Sequence, residues 1–290
     1  MTKRPPAAAV LWCLFAALWL SSCSTGAPPG ARMGTPEWYW LSAKETFAAG
    51  DLSKTQEHLE KIMASEHALK SRATTWHLVL LGGMARGHRD LAEAYEEGVG
   101  ATKTHEVDFR RAQAENRRFA RQYCIGLAEE ASRLQKEMGK GEAYSLEFKF
   151  PLGGTVEPVA LGRVRKGMFP QESERLSAQR AMVQRGVLLE TAAVLGLGDD
   201  TAKAAEMFKT PPVQVPNAVF LFGVAQTLTD QSAIFDRKKL HEPDKRKVML
   251  SLAASLVKPA SEASDAGLKK KAKELQARIE KEQKTLPKGL

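Results

Sequence analysis

Catalytic motifs are the first thing this sequence lacks. It has no GxSxG nucleophile turn, no GxxxxGK[ST] phosphate loop and no HExxH helix. Gly196-x-Gly198 runs into Asp199-Asp200 without the third glycine or the preceding strand that a dinucleotide site needs. The six histidines (His58, His67, His77, His88, His105 and His241) stand nine or more residues apart. No two therefore share a helix face at the i,i+3 or i,i+4 spacing of a metal-binding pair. The adjacent pairs Glu96-Glu97 and Glu129-Glu130 point to different sides of a helix, and neither is a ready acid/base pair. No cofactor or metal is expected, and the class indicated is non-enzymatic. Cysteine is scarce, with Cys13, Cys23 and Cys124 the full set, and proline is absent between Pro36 and Pro151. That proline gap suits a run of α-helices.

What is present is sharpest at the start. Lys3 and Arg4 precede an uncharged apolar run from Ala7 to Leu20, followed by Ser21, Ser22 and Cys23. Fourteen residues rise about 21 Å as a helix, short of the roughly 30 Å hydrocarbon core, so the run reads as an export signal rather than a permanent span. Leu20-Ser21-Ser22-Cys23 resembles the lipobox of bacterial lipoproteins. The resemblance implies cleavage before Cys23, a diacylglyceryl thioether on its sulfur and an added N-acyl chain of the palmitate type. It implies an outer-membrane protein facing the periplasm, since Ser24 rather than Asp follows the cysteine. The ordinary alternative is an export signal that happens to end near a cysteine. With Cys13 removed and Cys23 acylated, Cys124 has no intramolecular disulfide partner, and its helical setting beside Tyr123 and Ile125 predicts a buried small hydrophobe.

Residues 1–22 thus form the signal, and residues 23–36 the acylated cysteine and a Gly/Pro-rich tether, STGAPPGARMGTP, of about 43 Å at full extension. The whole chain is 43% apolar, enough for a sizeable core. Its formal charge is +9, or +7 without Lys3 and Arg4. That balance suits anionic lipid or cell-wall polymer, or simply a soluble basic surface; an exported, tethered chain is not expected to meet nucleic acid.

Residues 37–143 read as helical. Thr35 and Pro36 are the N-cap and first residue of a helix to Ala49, Gly50-Asp51 breaks it, and Leu52 to Ala64 continues. A second hairpin is predicted from Arg72 to Met84 and from Asp90 to Glu97, with a break near Gly87. Helix, Gly-x-x turn and helix, as Gly50-Asp51-Leu52 and Gly87-His88-Arg89, with Trp40, Phe47, Leu59 and Ala92 at packing positions, resemble a tetratricopeptide repeat. The glycines are 37 apart where that family has about 34, Thr55 replaces a small residue and the closing proline is missing. Glu106 to Met138 predicts one long helix with Phe119, Tyr123, Leu127, Ala131, Leu134 and Met138 on its apolar stripe. Its other side carries Arg110, Arg111, Arg117, Arg118 and Arg121, either a phosphate- or acid-binding patch or a solvated face beside Asp108 and Glu115.

Residues 144–170 change period. Tyr144, Leu146, Phe148 and Phe150 alternate with polar residues, and after Pro151-Leu152-Gly153-Gly154 the residues Val156, Val159, Leu161 and Val164 predict a returning strand. Helices resume over residues 171–290. They are Glu172–Leu197, Thr201–Phe208 behind the dipole-complementing Asp199 and Asp200, and an all-apolar core helix including Val219–Leu228. A helix from Pro243 with Val248, Leu252, Leu256 and Val257 inward follows, and then a basic helix from Ser261 to Leu286. The expected fold is mainly α, an irregular stack of antiparallel helical hairpins with one small β-hairpin. The expected function is a lipid-anchored scaffold or adaptor with an envelope protein or peptide as partner. Trp38, Tyr39, Trp40, Arg117, Arg118 and Arg121 are its candidate contact residues. A lipid- or solute-binding component using Val219–Leu228, and an envelope hydrolase, are the other classes.

Overall fold

The computed structural model describes residues 31–137, 143–150, 158–236 and 239–287. Cys23 and the signal, and most of the tether, lie outside them. The fold is mainly α with one small two-stranded antiparallel sheet.

The helical hairpin at the start forms as the punctuation dictates. α1 (Pro36–Ala48) is capped by the Thr35 hydroxyl, which accepts from Trp38 N at 3.3 Å. Gly50 turns the chain at φ +75°, a conformation that costs a side-chain-bearing residue free energy. Asp51 then caps α2 (Leu52–Met63), accepting from Lys54 N at 3.1 Å.

The second hairpin does not exist. Lys70–Ala101 is a single helix of 32 residues, α3, and Gly87 lies inside it as a helical residue. α3 is buried on every side from Thr75 to Ala85, which makes it the axis of the body, with α4 (Glu106–Glu137) on one flank and α6 (Glu172–Val194) on another. α4 is the long helix expected, although its buried seam is turned by about one residue. Phe109, Ala112, Asn116, Ala120, Cys124, Leu127, Ala131 and Leu134 face the core, while Phe119 and Tyr123 are half-buried and Met138 lies outside the described residues.

The returning strand is also corrected. Residues Val159–Arg165 form a short helix, α5, because Leu161 and Val164 at i,i+3 bury one helical face while Val159 is 86% exposed. Val156 lies outside the described residues. β1 (Ala143–Leu146) pairs instead with β2 (Val213–Pro216), with Ala143 opposite Pro216 and Leu146 opposite Val213. Phe148, just past β1, enters an aromatic nest. Its ring lies 5.1 Å from Trp76, 5.2 Å from Phe47 and 5.2 Å from Phe208. The sheet thereby anchors α1, α3 and α7 (Thr201–Met207) to one another.

α8 (Asn217–Ser232) contains the apolar Val219–Leu228 run and is buried as expected, with Phe220, Leu221, Val224, Ala225 and Leu228 all in the core. In α9 (Pro243–Leu256), Met249, Leu252, Ala253 and Leu256 face inward, and Val248 is 51% exposed rather than buried. The basic C-terminal segment divides into α10 (Lys258–Glu262) and α11 (Ala266–Lys284), since Ala263 is extended and Asp265 caps a new start. Ala272, Leu275 and Ile279 hold α11 to the body.

Candidate functional site

The expected aromatic contact residues are divided between core and surface. Trp40 belongs to the core, edge-on to Trp76 at 5.4 Å, with Lys44 and Arg72 against its ring at 5.3 and 5.1 Å. Both cations also meet Glu147, so this cluster ties β1 to α1 and α3. Trp38 and Tyr39 remain half-buried, forming a three-ring group with His58 at centroid distances between 5.1 and 5.8 Å. They sit where the tether enters the body.

The arginines are mostly engaged within the chain. Arg117 pairs with Glu96 at 3.1 Å. Arg121 grips Glu242 with both arms of its fork, Nε donating to Oε1 at 2.6 Å and Nη2 to Oε2 at 2.9 Å. Arg118 lies against Phe119, 5.3 Å from the ring centre, and is exposed. Arg121 therefore fastens α4 to the start of α9. Because the pair is partly solvated, Arg121→Ala is expected to destabilise by at most about 1 kcal/mol, read by urea denaturation; a loss of several kcal/mol would contradict that assignment.

Beside this clamp, α4 and α9 part to leave an open groove of 430 Å³. Ile125, Ala128, Phe235, Val248, Met249 and Leu252 give it an apolar floor, and Glu129, Arg133, Lys136 and Lys245 edge it. The size falls within the range of ligand sites. Cys124 lies at its base with its thiol pushed up to about 12 by burial, which leaves it protonated at neutral pH and no nucleophile. Arg133 at the edge is held by Glu130 at 2.8 Å. Glu130 in turn approaches the buried His77, whose imidazole is pushed down to about 4 by loss of solvent and by Arg133. The Val219–Leu228 helix does not line this groove.

Two buried polar groups were not anticipated from the sequence. His88 on α3 is sandwiched by Phe119 and Tyr123 and joined through Nδ1 to Asn116 Oδ1 at 2.9 Å; burial lowers its pKa. Glu190 on α6 lies in the centre of the fold, its carboxyl accepting from the Thr227 hydroxyl at 2.7 and 2.8 Å, and burial pushes it up to about 7. The signal for Glu190 is present in the sequence as the only charge in the stretch from Gly186 to Leu197. Asp200, one of the acidic pair, caps α7 by accepting from Lys203 N at 2.9 Å, and Asp199 meets Arg86 at 3.0 Å.

Among the described residues no three His, Cys, Asp or Glu side chains are grouped to hold a metal ion, and no helix is long and apolar enough to cross a membrane. No family model, no curated protein and no solved structure matches this chain.

Proposed function

We propose that this chain is a lipid-anchored, non-enzymatic interaction protein of the bacterial envelope. Its mainly α body is held at the periplasmic face of the outer membrane, where it engages an envelope protein or peptide. The observation that carries the reading is Leu20-Ser21-Ser22-Cys23 at the end of a short apolar run behind Lys3 and Arg4. The three acyl chains of a diacylglyceryl, N-acylated Cys23 supply an anchor that a single chain does not. The half-buried Trp38-Tyr39 pair and the exposed Arg118, all on the surface of the body, supply contact groups for the partner.

Cys23→Ala is expected to move the protein from the membrane pellet to the soluble fraction with its helical circular dichroism unchanged. Mass spectrometry of the native protein should find an acylated peptide beginning at Cys23. A Cys23→Ala protein that still sediments with membranes would remove the anchor reading.

A second reading, a lipid- or solute-binding component, is favoured by the open apolar groove between α4 and α9. Native mass spectrometry of protein taken from membranes separates the two: a small molecule retained at unit stoichiometry supports the second, and a cross-linked protein without one supports the first.

A further inference from the structure

The arginines of the body are largely neutralised by its own acids. Arg86 meets Asp199, Arg117 meets Glu96, Arg121 meets Glu242, and Arg278 meets both Asp230 and Glu282. The start of α11 is built differently. Lys269, Lys270 and Lys273 are exposed, and none of them takes part in an ion pair among the described residues.

Local helix energetics oppose this arrangement. The first turn of a helix carries the positive end of its dipole, which favours acids, yet α11 has no acid there and Lys269 closes that turn. Lys269 and Lys273 stand at i,i+4, where like charges repel. Asp265, the N-cap, is occupied by accepting from Leu268 N at 2.6 Å, and the exposed Glu262 and Glu274 are the other acids close in sequence. On the opposite side Ala272, Leu275 and Ile279 are buried and fix the orientation of the helix, so the lysines project outward from a rigid element. Exposed lysines gathered on one side of a fixed helix against their mutual repulsion are explained by an external anionic surface that offsets it.

We propose that Lys269, Lys270 and Lys273 form the face with which the body rests on an anionic lipid bilayer. This rests on the lipid-anchor reading in one respect: the tether after Cys23, about 43 Å when extended, keeps the body close to the headgroups. Each lysine near an anionic surface strengthens association by about fivefold, and three by roughly 100-fold. That is a weak contact for a free protein. It is enough to orient a tethered one, whose effective concentration at the surface is already high.

The test uses the chain from residue 23 onward carrying Cys23→Ala, so its outcome depends neither on acylation nor on the apolar run Ala7–Leu20. Sedimentation is measured with vesicles of phosphatidylcholine alone and of phosphatidylcholine with about a third phosphatidylglycerol. Binding is expected only to the anionic vesicles, weakening at least tenfold when salt rises from about 0.05 to 0.3 M as the charges are screened. K269E/K270E/K273E should lower it by about 100-fold with unchanged circular dichroism. K61E/K103E/K203E makes the same change in net charge at exposed lysines elsewhere and should lower it by less than tenfold. Equal losses in the two triple variants, or equal binding to neutral vesicles, would overturn the proposal.

Discussion

Gly186→Ala is expected to lower the unfolding free energy by about 3 kcal/mol, although alanine is the better helix former. The reason is the crossing of α3 and α6, where backbone meets backbone. A Cβ on Gly186 would lie 2.1 Å from Gly83 O and 2.8 Å from Gly87 N, and one on Gly83 would lie 2.3 Å from Val187 Cα. These neighbours are main-chain atoms within two helices and cannot rotate aside. Relief requires the helices to separate by roughly 1 Å along a buried crossing, which removes dispersion contacts from the side chains packed around it. Gly100→Ala provides the internal contrast. Gly100 is also in α3, but nothing lies within 4 Å of a Cβ built there. The same substitution should therefore stabilise by about 0.5–1 kcal/mol, through propensity alone. Urea denaturation of the two variants should show shifts of opposite sign. Shifts of equal size and sign would mean that α3 and α6 are not in backbone contact.

The same glycines explain which parts of the fold the sequence could disclose. A glycine is chosen either because the backbone needs positive φ or because nothing larger than hydrogen fits, and the letter does not distinguish the two. Gly50 is the first kind, and the turn it marks between α1 and α2 was legible. Gly87 is the second kind: a Cβ there would meet Val183 Cα at 2.6 Å, so a predicted break became the middle of a 32-residue helix. The equivalence of Gly87-His88-Arg89 with Gly50-Asp51-Leu52 rested on reading both glycines as turns.

Long-range pairing was hidden for a related reason. Tyr144, Leu146 and Phe148 alternate as a strand should, but their spacing says nothing about the partner. The partner, Val213-Gln214-Val215, lies far along the chain, past α5, α6 and α7. Caps, by contrast, act within three residues, and Thr35 caps α1 in the structure as its position implied. The candidate contact residues suffered from locality too. Nothing near Arg121 in sequence announces Glu242, 121 residues away. In the groove between α4 and α9, Val248 is turned out of the core and Met249 faces inward, the reverse of the expected inward Val248.

Glu190→Gln is the second large effect, and it depends on pH. Burial raises the Glu190 carboxyl from 4.5 to about 7, against the opposing hydrogen bond from Thr227 and the attraction of Arg86, and with Asp230 reinforcing the rise. Below about pH 4.5 the folded and unfolded chains both hold the proton, and the group makes no difference between them. From there to about pH 7 the unfolded chain ionises first, so unfolding releases a proton and stability falls as pH rises. Above pH 7 the carboxylate is charged in both states, and the folded state carries the whole burial penalty. At 1.36 kcal/mol per pH unit that penalty is about 3 kcal/mol. Glutamine preserves the shape and can still meet the Thr227 hydroxyl, yet it never ionises. The variant should match the parent at pH 4.5 and exceed it by about 3 kcal/mol at pH 8, so the two curves of unfolding free energy diverge with pH. Parallel curves would show that Glu190 is not the group responsible. The position also selects which neighbour can be altered safely. A Cβ at Gly82 would lie 2.9 Å from the Glu190 carboxyl carbon, so alanine there presses on the same side chain, and its effect should not add to that of Glu190→Gln.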